Sequence, residues 1–120
     1  MKKIDVTWRI FCIYTLIILF TLLAKTSFSQ MSAKCFNAEW NSANDVGWFM
    51  GLEDCETKGY VDIEKDKEAQ TKYKIAVIPT IIIFKDGEEV ARFQADLSFK
   101  MVATKEEVQE EIDNQLMSDF

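Results

Sequence analysis

The sequence contains no histidine. That removes the commonest neutral metal ligand and the usual general base at neutral pH. The acidic run Glu106-Glu107, Glu110-Glu111 and Asp113 cannot stand in for it. It lacks convergent ligands from a second element and reads as a solvated helix face, so neither a metal site nor a cofactor is expected. Basic charge is also scarce. Residues 1–29 hold Lys2, Lys3, Arg9 and Lys25 against Asp5, which leaves ten basic and nineteen acidic side chains in the remainder, a net charge of -9. Such a surface repels phosphate backbones, and counterion release cannot drive association, so nucleic acid is excluded as a partner. Proline occurs once and cysteine three times. Repeats and low-complexity tracts are absent, and 120 residues allow one domain beyond any targeting segment.

What is present centres on that one proline. Ile78-Pro79-Thr80 opens the β-branched run Ile81-Ile82-Ile83-Phe84-Lys85, which is followed by Asp86-Gly87. Proline cannot donate to a sheet ladder, and the first residue of a strand is one of the few places that tolerate it. The run predicts a strand buried on both faces, and Asp-Gly predicts a type I′ hairpin turn. Glu89 to Gln94 then returns as the partner strand, with Val90 and Arg92 on one face and Ala91 and Phe93 on the other.

Met1 to Arg9 is a basic leader, residues 10–24 are an almost unbroken apolar run, and small residues follow at Ser27 and Ser29. That order is the pattern of a secretory signal peptide with cleavage after Ser29. The run falls short of the roughly 20 apolar residues of a membrane span. Residues 1–29 are therefore expected to be a cleaved signal, with a retained anchor as the alternative, and residues 30–120 the exported domain. In a bacterium the location would be the periplasm, a compartment in which disulfides persist. Membrane contact would come only through residues 10–24, if they are retained.

In the exported part, Ser32 to Trp40 predicts a strand, and Asn41-Ser42-Ala43-Asn44-Asp45 a cap-rich start to a short helix that Val46, Trp48, Phe49, Met50 and Leu52 fit. Trp48, Phe49 and Met50 cannot all face one way, so one of them is expected at the surface. Gly47 and Gly51 each weaken that helix by roughly 1 kcal/mol. Residues 58–63 alternate like a strand, and Asp66 can cap a short helix with Ala69 and Tyr73 inward. Thr104-Lys105-Glu106-Glu107 is a capping box ahead of Val108, Ile112 and Leu116, which recur every four residues along a closing helix. The predicted order is β-α-β-α-β-β-α, with parallel crossovers first and an antiparallel hairpin last.

In that order the residues resemble the thioredoxin family. The similar segments are Phe36-Asn37-Ala38-Glu39-Trp40, Val61-Asp62-Ile63-Glu64-Lys65-Asp66, Lys72-Tyr73-Lys74-Ile75, Ile78-Pro79-Thr80 and Phe84-Lys85-Asp86-Gly87. The likeness spans about residues 33–118. It implies a three-layer α/β fold with a mixed four-stranded sheet, preceded here by an N-terminal hydrophobic helix, and it implies a cis peptide at Pro79. It also implies that Trp40, Ile78 and Pro79 flank the surface where the family pairs with an extended substrate segment.

The departures from the family are chemical. Where thioredoxins have Cys-Gly-Pro-Cys after the tryptophan, this chain has Asn41-Ser42-Ala43-Asn44. Dithiol exchange needs a thiolate at a helix N-terminus and a second, resolving thiol. An amide is neither, so Asn41 and Asn44 are degenerate active-site positions, expected to act as helix caps. Cys35 stands where the family has a buried acidic residue, the following helix is shorter than usual, and the strand and helix that open bacterial thioredoxins are missing. Cys35 and Cys55 are the only thiols after residue 29. Count and compartment favour a disulfide between them. The family register opposes one, because it sets Cys55 some 16 Å along the strand from the position opposite Cys35, beyond the roughly 7 Å that a bridge spans. Both readings stay open at this point.

The expected function is that of an exported thioredoxin-like module that binds a protein or extended peptide segment without catalysing exchange. Contacts are expected at Trp40, Ile78 and Pro79, and at Phe99 and Met101 in the apolar connection 97–103. The alternatives are an unconventional thiol–disulfide oxidoreductase using Cys35 and Cys55, and a small structural subunit of a membrane-associated assembly.

Overall fold

The computed structural model describes Ile10, residues 12–15 and residues 29–118. Four strands are present: β1 (Met31–Asn37), β2 (Thr57–Asp62), β3 (Thr80–Lys85) and β4 (Glu88–Gln94). Between β1 and β2 lie two 3₁₀ segments, Glu39–Asn44 and Phe49–Gly51. The helix α1 (Lys67–Lys72) precedes β3, and α2 (Lys105–Met117) closes the domain.

The strands form one mixed sheet in the order β2-β1-β3-β4. β2 lies parallel to β1, with Cys35 opposite Tyr60, whereas the second crossover returns β3 antiparallel to β1. β3 and β4 form the expected hairpin. Asp86 and Gly87 have φ of 53° and 85°, the double positive φ that a type I′ turn demands. Residues 80–84 are buried, as the unbroken apolar run predicts. The Ile78–Pro79 bond is cis.

Side-chain alternation sends the sheet's residues to two separate cores. Met31, Ala33, Cys35, Ile81 and Ile83 join Val46, Phe49 and Leu52 from the 3₁₀ region and Val108 and Ile112 from α2. On the other face Phe36, Ile82 and Phe84 pack with Ala69 from α1 and with Ile75 and Ile78. Helices on both faces of one sheet make the three layers. Both α-helices start where their caps lie: Asp66 accepts from the Ala69 N–H at 3.1 Å, and Thr104 from the Glu107 N–H at 3.2 Å.

Three expectations need correction. First, β1 stops at Asn37, so Trp40 lies beyond the strand, in the first 3₁₀ segment. Second, the helix expected after Asn41 does not form. The 3₁₀ segment is kinked at Asn41 (φ -108°, ψ 20°) and ends at Asp45, whose ψ of 147° is extended. With Gly47 and Gly51 beyond that break, too little propensity remains to nucleate an α-helix. Of the three adjacent large residues there, Phe49 is buried, Trp48 half-buried and Met50 exposed.

Third, Val90 does not share a face with Arg92. Ile83 pairs with Ala91 but Phe84 with Glu89, so Val90 is the extra residue of a bulge and turns to the first core beside Ala91 and Phe93. The same slip sets Glu89 and Arg92 on one face. The guanidinium holds the carboxylate at 2.8 and 2.9 Å and also donates to the Tyr73 and Lys74 carbonyls at the end of α1.

Of the expected N-terminal hydrophobic helix, Ile10 and residues 12–15 are helical. Residues 1–9 and 16–28, which carry most of the leader and apolar run, lie outside the described residues. Among those described, no helix is long and apolar enough to cross a membrane.

Candidate functional site: an amide cluster beside an exposed aromatic pair

The short path from β1 into the 3₁₀ segment brings three asparagines together. Asn41 is buried, and its Nδ2 donates to Asn37 Oδ1 at 3.0 Å and to the Phe99 carbonyl at 3.2 Å. Its Oδ1 accepts from Asn44 Nδ2 at 2.8 Å. Asn37 Nδ2 in turn donates to the Asn41 carbonyl at 3.3 Å and to the Asp45 carboxylate. Asn41 and Asn44 are therefore not caps. Ala38 occupies the N-cap position, and no side chain caps the segment. Asn37 and Asp45 complete the cluster and were not anticipated from the sequence. The spacing of Asn37, Asn41 and Asn44 at i, i+4 and i+7 was the only available sign.

Asn41 also ties the 3₁₀ segment to the connection after β4. The Asp96 carboxylate accepts from the Ser98 and Lys100 N–H groups at 2.9 and 3.3 Å, and the turn leaves Phe99 at φ 64°. There the Phe99 ring meets Trp40 edge-on, with centroids 5.2 Å apart and planes at 86°. Trp40 is 60% exposed, Phe99 40% and Leu97 92%. An exposed tryptophan braced by a second ring is an apolar surface feature of the kind that marks contact sites. Met101 instead bridges back to Ala95 and packs against the first core. Pro79 is fully buried and Ile78 nearly so, hence neither forms part of an exposed rim. The Pro79 carbonyl accepts from the Ala95 N–H at 3.0 Å, which ties this strand entrance to the same connection. Among the described residues, the Ile78 N–H and C=O find no hydrogen-bond partner.

Cys35 and Cys55 are both free thiols. Cys35 lies in mid-strand in the first core, and burial, aided by the Asp45 carboxylate, pushes its thiol from the ordinary 9.0 up to about 12. The thiolate fraction at neutral pH is then only about one in 10⁵. Cys55 is half-buried, and its thiol is also raised, first by burial and then by Asp54, against a lowering by Lys58. The Glu56 N–H donates to the Met31 carbonyl at 2.8 Å, which holds Cys55 near the start of β1. With Cys35 opposite Tyr60, the two cysteines stand about 16 Å apart along the sheet, too far for a bridge. A cleft of about 210 Å³ at the end of β1 is lined by Asn37, Glu39, Ser42, Asp45, Asp62 and Lys65, among others. Among the described residues, no group of acidic or sulfur ligands converges as a metal site would need.

This framework has counterparts among solved structures. A thioredoxin from Schistosoma mansoni superposes with a TM-score of 0.58 at 23% identity, over 79% of this chain and 85% of its own. A mutant thioredoxin from Halobacterium salinarum gives 0.57 at 15% identity, over 72% and 75%.

The chain has a thioredoxin-like fold.

Its sequence relatives agree. Thioredoxin Y1, chloroplastic, from Arabidopsis thaliana is 45% identical over 42 residues, and the thioredoxin of Chlamydia pneumoniae 44% over 36 residues. These matches take in 35% and 30% of this chain and span 24% and 35% of the two relatives. No family profile matches the chain. In this thioredoxin-like domain Asn41 lies inside a hydrogen-bonded amide cluster.

Proposed function

We propose that this thioredoxin-like domain binds an extended polypeptide segment and does not exchange disulfides. The observation that carries the reading is the pairing of an exposed Trp40–Phe99 face with unpartnered main-chain groups at Ile78. Two hydrogen bonds, Asn41 to Phe99 and Ala95 to Pro79, join the aromatic face to the strand entrance. Strand addition supplies main-chain bonds, and an aromatic face supplies side-chain selectivity. The carboxylates of Glu39, Asp45 and Asp62 around the neighbouring cleft favour a basic side chain in the bound segment. Export, to the periplasm in a bacterium or with residues 10–24 retained as a membrane anchor, is part of this proposal on the strength of residues 1–29 alone.

The test pairs two assays on the same preparation. In a disulfide-reduction assay the protein is expected to be inactive. Turnover that vanishes when Cys35 or Cys55 becomes serine would instead establish an oxidoreductase. In the second assay, a permanently unfolded, thiol-blocked polypeptide is titrated against the chain and against Trp40→Ala. Binding that weakens about tenfold in the variant supports the reading. Equal binding by both proteins removes the aromatic face from it.

A further inference from the structure

The chain has three tyrosines, and the two that belong to the sheet and its helices are held in opposite ways. Tyr60 donates its hydroxyl to the Val46 carbonyl at 2.9 Å, and its ring lies on Phe49. Tyr73 follows α1, and its oxygen is an acceptor: the Lys34 ammonium donates to it at 3.0 Å. The same ammonium stands 4.9 Å from the centre of the Tyr73 ring, and the Lys72 ammonium 5.2 Å. Two cations therefore act on one phenol.

Lys34 sits in the middle of β1, an inner strand of the sheet, and is half-buried. Among the described residues no carboxylate pairs with it. A donated hydrogen bond and a nearby positive charge both favour the ionised form of a phenol. Here they outweigh burial. They hold the Tyr73 hydroxyl below the ordinary 10.0, with the Lys34 hydrogen bond the largest cause, whereas burial pushes Tyr60 up.

The phenol is also fixed in place. Its ring packs against Phe36 and Phe84, with centroids 5.2 and 5.6 Å away, and Arg92 donates to the Tyr73 carbonyl at 2.6 Å. A cleft of about 390 Å³, lined by Lys34, Lys72, Tyr73, Asp66 and Glu68 among others, opens the residue to solvent. Its two carboxylates do not cancel the lysines. Asp66 is turned to the Ala69 N–H at 3.1 Å, and Glu68 is exposed and, among the described residues, joined to neither lysine.

We infer that Tyr73 is a nucleophilic modification site, which takes a sulfonyl or phosphoryl group from a donor with a good anionic leaving group. A phenolate is a nucleophile that enzymes use once its ionisation is favoured. A tetrahedral centre carrying several partly negative oxygens is the electrophile that two ammoniums draw in. The Tyr73 oxygen attacks the sulfur or phosphorus, an O–S or O–P bond forms, and the leaving group departs with its electron pair. The phenolic proton passes to water, and nothing is oxidised or reduced. Lys34 keeps two further N–H donors for the oxygens of the incoming group. The site lies on the second-core side of the sheet and uses neither the Trp40–Phe99 face nor a thiol.

The experiment treats the full chain in mild detergent with benzenesulfonyl fluoride and, separately, with diisopropyl fluorophosphate. Fluoride leaves in both cases, and peptide mass spectrometry maps the adducts. At neutral pH the adduct is expected on Tyr73, formed at least about threefold faster than on Tyr60 or Tyr14, because the gain in phenolate exceeds the accompanying loss of nucleophilicity. Lys34→Met keeps the stem and removes the charge. It should slow Tyr73 by about threefold and raise the pH at which the rate levels off. A phenolate absorbance titration of the unaltered chain needs no variant, and one tyrosine should ionise below 10.0. An adduct with one reagent only assigns the site to that element. Labelling spread evenly over the three tyrosines, or found on lysine in place of Tyr73, overturns the inference. So does a Tyr73 rate that Lys34→Met leaves unchanged, or three tyrosines that all ionise at or above 10.0.

Discussion

Asn41 loses water on almost every side, and its amide regains three hydrogen bonds within the fold. Replacing it with alanine leaves Asn37, Asn44 and the Phe99 carbonyl short of a partner. The expected cost is about 1–3 kcal/mol, read from the urea midpoint. Because the same amide fixes the Phe99 turn, Trp40 should also become more mobile, with a lower fluorescence anisotropy than in the parent protein. An unchanged midpoint would mean that water replaces the amide without loss. Cys35 makes a different prediction. Its thiol is raised by burial, so the folded state favours the neutral form. That stabilisation is complete below the ordinary thiol value of 9.0 and is lost as the pH rises toward about 12. Urea midpoints should fall steeply above about pH 9 in the parent and less steeply in Cys35→Ala. Parallel curves for the two proteins would assign the alkaline loss to other groups.

At the scale of elements, legibility followed the strength of local signals. The hairpin could be read because Asp86-Gly87 and the apolar run from Ile81 point the same way, and the capped helices because Asp66 and Thr104 stand directly ahead of amphipathic turns. The bulge at Val90 was not legible, since alternation of side chains carries no mark of an extra residue. The 3₁₀ path was misread for a related reason. Asn41 and Asn44 have the propensity of caps, but their amides found better partners in each other and in Asn37, a contact that becomes visible only once β1 is known to stop there. The resemblance singled out Asn41 and Asn44 and could not supply the hydrogen-bonded cluster they form, because amides do not stand at those positions in the family. One consequence can be measured. The Gly47 backbone is not in the left-handed region, and a Cβ there meets open space. Gly47→Ala should therefore stabilise the domain by about 0.4–1 kcal/mol. Thr104→Ala, which removes the cap of the closing helix, should destabilise it by about 1 kcal/mol. Thermal midpoints that move the same way in both variants would contradict this account.

For the molecule as a whole, the sheet is a partition with separate apolar fillings on its two sides. Composition sets how much apolar filling the chain has but could not say how the filling is divided. That division depends on alternation along β3, where Ile81 and Ile83 face one way and Ile82 and Phe84 the other. A single strand thus serves as the common wall of both compartments. Neither half of the protein can melt while the other stands, since losing the wall empties both rooms at once. A tryptophan signal from Trp48 on one side and a tyrosine signal from Tyr73 on the other should therefore trace a single heating curve. Warming this chain should give two outcomes only, intact or undone.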